Sequence, residues 1–173
     1  MQENYTLFYN LSLKGYVTLL NLLDKAQAHS AENNLAEADL LNAKLLDDMF
    51  DFTRQIQIFT DATVGGVYRV AGLEKPSMPD TEKTIAELIA RVNTAKEALE
   101  KVNPDTVTLD PMLQIKLGWM PEKSYFEAGE YLTNFLFLNS LFHLTTAYDI
   151  LRHKGVKIGK MDFIGSVEMK FNA

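Results

Sequence analysis

Imidazoles and thiols, the side chains most versatile in acid–base, nucleophilic and metal chemistry near neutral pH, are scarce in this chain. It has three histidines, His29, His143 and His153, and no cysteine. Without cysteine there is no thiolate metal site, no cysteine nucleophile and no disulfide, which fits a reducing compartment. His29 and His153 each fall at the end of a predicted helix, where an imidazole suits the negative pole of the helix dipole. His153 stands ten residues beyond His143 and cannot easily share a metal with it. His143 is therefore the residue to explain. The sequence contains no GxxxxGK phosphate loop, no GxSxG elbow and no HExxH zinc motif. Thr81-Glu82-Lys83-Thr84 reads as a helix start. The aromatic run Phe135, Phe137 and Phe142, with Tyr131, Tyr148 and Trp119 elsewhere, reads as core or dimer interface rather than a cofactor box.

The elements that would position these residues are helical. Leu7, Leu11, Leu19, Leu22, Leu23 and Ala26 recur at the spacing of one buried face and predict a first helix from Tyr5 to about His29, with Gly15 marking close packing against a neighbour. A polar connection over Ser30 to Asn34 and a short helical piece over Leu35 to Leu41 follow. The second long helix is expected to start near Asp47 or Asp48, either able to cap it, and to stop at Gly72. Gly65-Gly66 inside it would permit a kink or a close helix contact. After Pro76 and Pro79, Asp80 or Thr81 is expected to open a third helix with Glu82 in its first turn and a stripe of Ile85, Leu88, Ile89, Val92, Ala95 and Leu99. Partial alternation over Met112 to Leu117, broken by Gly118 and Pro121, suggests a small β-hairpin between Val107 and Phe126. A fourth helix is expected from Ala128 to Lys154, stopping at Gly155, with an irregular tail from Val156 to Ala173 packed on the bundle. The pattern is that of an all-α, antiparallel four-helix bundle in a single domain over residues 1–173.

Composition bounds the partners. The chain has 173 residues, 47% hydrophobic and 23% charged, which is ordinary usage for one globular domain able to bury a core. A formal net charge of -6 runs against a nucleic-acid surface, which needs a clustered excess of Lys and Arg. The N-terminus lacks the positive region of a signal peptide, and no apolar run reaches a membrane-spanning length. A cytoplasmic protein that binds neither nucleic acid nor membrane is expected.

Two segments, LLNAKLLDDMFDFTRQIQIFTDA from Leu40 to Ala62 and NSLFHLTTAYDILRHKGVKIGKMDF from Asn139 to Phe163, resemble an uncharacterised bacterial family, a domain of unknown function grouped with the DinB/YfiT-like superfamily of metalloenzyme-type proteins. The resemblance covers nearly the whole chain. It implies a DinB-like four-helix bundle with an up-up-down-down tendency, often dimeric, and in many relatives a divalent metal held by three histidines. Some relatives are thiol-dependent S-transferases or isomerases that use low-molecular-weight thiols. Laid on that pattern, His143 matches the second ligand of the last helix, Asn139 the first and Gln55 the ligand of the second helix. Residues four apart share a helix face, but two of the three imidazoles are here carboxamides, which bind zinc or nickel poorly. Asp48 or Asp51 could lend a carboxylate, although helix-start aspartates usually act as caps.

No cofactor is expected on this reading; any zinc or nickel ion would have His143 as its one good ligand. His143 is expected to hydrogen-bond Gln55 or Asn139, since a buried polar group needs a partner. Its functional rival is a polar pocket in which Gln55, Asn139, His143 and Thr146 orient a small molecule. Three functions follow: a metal-free small-molecule-binding bundle with a degenerate metal site; a metal-dependent thiol transferase or isomerase; or a dimeric stress or interaction protein without a pocket. A homodimer is expected from the resemblance and from the surplus of aromatic residues on the last helix.

Overall fold

The computed structural model of the chain describes residues 1–166 and encloses one core within four long helical segments. Helix α1 (Gln2–Glu32) buries Tyr5, Phe8, Tyr16, Leu19, Leu22, Leu23 and Ala26 along one face. Leu7 and Leu11, expected on that face, are instead 51% and 41% exposed, because the buried stripe runs through Tyr5, Phe8 and Ser12. A Cβ on Gly15 would lie 2.4 Å from the Phe59 ring, so the expected close packing is real.

A short helix α2 (Glu37–Leu41) leads to α3 (Phe52–Val70). Asp51, rather than Asp47 or Asp48, is the cap of α3 and accepts the Arg54 N–H at 2.8 Å. The start is late because the chain first folds back, with Phe52 N–H donating to the Ala43 carbonyl at 2.9 Å. Helix α4 (Ile85–Glu100) likewise begins after Thr84, not at Asp80 or Thr81. Thr84 and Glu87 form a reciprocal capping box, and the Glu37 carboxylate accepts the Ile85 N–H at 2.8 Å. Glu82 lies outside the helix because Arg91 holds it at 3.0 Å.

Tyr5 donates to the Val67 carbonyl at 3.1 Å and Tyr16 meets Thr63 at 2.6 Å, so α1 and α3 are antiparallel. Tyr68 donates to the Ala98 carbonyl at 2.9 Å and Arg91 to Thr60 at 2.7 Å, which makes α3 and α4 parallel. The last long segment is antiparallel to α3, since His143 faces Gln55 and Leu136 packs over Gly66. The order is up-down-down-up, not the up-up-down-down arrangement that the resemblance implies. Because α3 and α4 run the same way, residues 71–84 must return along the whole of α3. Nineteen helical residues span about 28 Å, well within reach of that connection when extended. Its ion pairs trace the path backwards: Lys75 to Asp61, then Asp80 to Arg54.

The expected hairpin is reduced to β1 (Gln114–Ile115) and β2 (Phe126–Glu127), antiparallel with Ile115 opposite Phe126. The final long segment is not one continuous α-helix. It comprises α5 (Ala128–Glu130), a π-helical segment (Tyr131–Leu136) and α6 (Phe137–His153). Gly72 and Gly155 end their helices in the left-handed region, with φ of 67° and 87°, as expected. The tail is more ordered than expected over α7 (Lys160–Ile164), which docks on α1 through Thr18 donating to the Phe163 carbonyl at 2.8 Å. Residues 167–173 of the expected irregular tail lie outside the described residues. No described helix is long and apolar enough to cross a membrane.

Candidate functional site

Of the four residues expected to form a polar pocket, the fold joins two. His143 on α6 is 7% exposed, and its Nδ1 lies 2.7 Å from Gln55 Oε1 on α3. Gln55 Nε2 donates to the Phe50 carbonyl at 3.0 Å, which leaves its oxygen as the acceptor facing the ring. His143 must therefore carry its proton on Nδ1 and keep the Nε2 lone pair. Burial, reinforced by the positive Arg54, pushes His143 from its ordinary 6.5 down to about 4, so the imidazole is neutral near pH 7. Asn139 is half-buried and hydrogen-bonds neither residue. The Thr146 hydroxyl donates to the Phe142 carbonyl of its own helix at 2.7 Å.

A three-imidazole metal site is not what these residues build. Gln55 spends its oxygen on His143, and His143 offers a single nitrogen. Among the described residues no group of three or more His, Asp or Glu side chains could hold an ion together. Of the two alternative carboxylates, Asp51 is committed as the α3 cap and Asp48 is exposed ahead of that helix. The donor set does not fit a transition metal.

On the adjoining face of α3 the surface changes character. Arg54, Ile58, Asp61, Ala62 and Arg69 share one face and form one wall of a cleft of about 250 Å³. Tyr131, Phe135 and Leu136 of the π segment form the opposite wall, with Lys75 and the 117–119 turn completing it. The π segment brings its aromatic rings together: Phe135 stacks on Tyr131 at 5.8 Å and on Phe126 at 5.5 Å, and Trp119 lies tilted over Phe135 at 5.8 Å. Arg69 Nη1 donates to the Tyr131 hydroxyl at 3.3 Å. Burial raises the Tyr131 phenol above its ordinary value despite the opposing positive charge of Arg69.

Beside the cleft lies a buried ion network. Arg91, whose side chain is 2% exposed, contacts Asp61 at 3.3 Å, Asp80 at 3.0 Å and Glu82 at 3.0 Å. Burial alone would raise the Glu82 carboxyl, but hydrogen bonds from Gln57 and Arg91 more than offset it and hold the group below its ordinary value. Arg91 thereby locks the return connection onto α3 and α4.

None of the cleft's basic residues was singled out from the sequence. The available signal was the stripe Arg54, Asp61, Gly65, Arg69 at helical spacing on a segment that should present apolar side chains to its neighbours on either side.

The architecture is that of a DinB-type helical bundle. A crystal structure of a DinB family member protein from Shewanella denitrificans matches with a TM-score of 0.86 and 31% sequence identity, covering 99% of this chain and 99% of that chain. No curated protein matches. Residues 5–164 match the family described as Domain of unknown function (DUF1993), and the chain belongs to that family.

Proposed function

We propose that this protein is a cytoplasmic, metal-free member of the DinB-like group that binds a small molecule in the cleft between α3 and the π segment. The observation that carries the reading is the cleft itself, where basic groups and stacked aromatic rings converge beside a polar pair that lacks the donors for a metal. The connection over residues 101–127 adds support. Antiparallel α4 and α5–α6 need only a short link, yet this one is long and lends Leu117, Gly118 and Trp119 to the cleft, as long ordered loops with a binding role do. Gln55 and His143, which keep α3 and α6 in register, lie next to Arg54 but outside the cleft lining; Asn139 and Thr146 flank His143 on α6.

The test is elemental analysis of untagged protein together with native mass spectrometry. The expected result is far less than one equivalent of zinc, nickel or iron, and a small organic molecule that is released on denaturation and lost in Trp119→Ala. Stoichiometric, chelator-sensitive metal that disappears in His143→Ala would instead support a metal-dependent transferase or isomerase.

A second copy of the chain is the expected macromolecular partner. Leu7 and Leu11 of α1 and Leu138, Leu141 and Phe142 of α6 are exposed large apolar residues, and Leu11 and Leu141 line one small cavity together. A two-fold axis through this strip would bury it against itself.

A further inference from the structure

We propose that the α3/π-segment cleft is built for a flat organic monoanion, an aromatic carboxylate in chemical class, with Arg69 as its anion receptor. The inference rests on the reading of the cleft as a small-molecule site and adds the chemistry of the ligand.

Charge counting selects the anion. Arg54, Lys75 and Arg91 face Asp61, Asp80 and Glu82, so three cations are matched by three carboxylates. Arg69 stands outside that balance. Among the described residues no carboxylate lies within ion-pair distance of it, and its one hydrogen bond goes to a neutral phenol. One uncompensated guanidinium in a cleft lined on the other side by rings matches one negative charge. A phosphate monoester, mostly a dianion near pH 7, would leave a second charge without a partner. The planar guanidinium fork also matches the two oxygens of a carboxylate.

The backbone makes room for this group. Gly65 lies one turn before Arg69, and a Cβ there would sit 2.5 Å from Arg69 Nη1. The missing side chain lets the guanidinium fold back against the helix toward Tyr131, instead of extending into solvent.

The rest of the cleft selects a flat body. Trp119, Phe135 and Tyr131 form a continuous series of ring contacts that ends on Arg69. Trp119 is 66% exposed, so one face of its indole is available to a ligand ring. A ligand with its carboxylate on Arg69 and its ring against this series would use both features at once.

The experiment titrates purified full-length protein with benzoate, nicotinate and naphthoate, following heat by calorimetry and the fluorescence of Trp119, the only tryptophan. Benzamide and phenyl phosphate serve as the neutral and dianionic comparisons. At least one aromatic carboxylate should bind saturably at millimolar concentration or below and perturb Trp119, while benzamide and phenyl phosphate bind more weakly. Arg69→Gln should weaken the carboxylate by roughly ten- to a hundredfold, the worth of a charge-assisted hydrogen bond, and leave benzamide unchanged. Gly65→Ala keeps the charge and favours the helix, yet should weaken the same probe severalfold by displacing the guanidinium.

Equal binding of benzoate and benzamide, both dependent on Trp119, would overturn the anion assignment while the cleft stood as a small-molecule site. Preference for phenyl phosphate would do the same. Absence of any response to all five probes would defeat both readings, and undiminished carboxylate binding in Arg69→Gln would remove Arg69 as the receptor.

Discussion

The buried imidazole of His143 makes a quantitative prediction about stability. Its proton affinity is lower in the folded chain, at about 4, than in the unfolded chain near 6.5. Protons therefore bind the unfolded state better as pH falls. The contribution is fully present above pH 6.5 and is lost progressively between 6.5 and 4. Linkage over that window gives a loss of about 2 kcal/mol at roughly pH 5 relative to roughly pH 8, a sizeable share of a typical domain's stability. Glu82 and Asp162 have lowered carboxyl values, so their contributions are lost at more acid pH, below the ordinary carboxylate range. The assay is urea unfolding followed by circular dichroism at the two pH values, in the native chain and in His143→Asn. The asparagine Nδ2 can stand where Nδ1 donates to Gln55, but it does not titrate. Its smaller side chain lowers stability at both pH values alike, so the informative quantity is the difference in pH dependence. That difference should be about 2 kcal/mol, and the imidazole resonance should titrate near 4. Identical pH dependence in the two proteins, or titration near 6.5, would refute the argument that burial and Arg54 govern this group.

Arg91→Met should destabilise the fold by about 3 kcal/mol in urea unfolding, because Asp61, Asp80 and Glu82 would lose their shared buried cation; a change within error of zero would mean that the network merely decorates the connection. Light scattering after size exclusion should report a dimer at micromolar concentration and a monomer for Leu138→Glu with Leu141→Glu, whereas a monomeric native chain would leave the exposed strip without its expected partner. Gln55→His with Asn139→His should create zinc binding measurable by calorimetry, since Gln55 already faces His143 and Asn139 lies one turn before it; a folded double variant that takes up no zinc would place Asn139 outside the site.

Much of the helical frame was legible from local rules. Three- and four-residue apolar spacing marked α1 and α4, and Gly72 and Gly155 ended their helices where left-handed residues were expected. The pairing of His143 was legible as a choice between Gln55 and Asn139, because a buried histidine must find a partner and the family resemblance named both positions; the packing of α6 on α3 selected Gln55. Starts were less legible. Asp47, Asp48, Asp80 and Thr81 all had cap chemistry, but the Ala43–Phe52 fold-back and the pull of Arg91 on Glu82 selected Asp51 and Thr84 instead. Each of these contacts folds a non-helical stretch back on residues nine positions away, and helical periodicity carries no information about it. The π turn at Tyr131–Leu136 was equally hidden, since the stretch YLTNFL has no composition that distinguishes it from an α-helix. Leu7 and Leu11 show the limit of the same rule: spacing says that residues share a face, while the neighbours determine which face is covered. The cleft follows for the same reason. Arg54 and Arg69 share a side of α3 in any helix, but the cleft exists because the chain places the π segment, Lys75 and Trp119 opposite them, and the lone positive charge on Arg69 emerges only once every other ion pair has been formed in three dimensions.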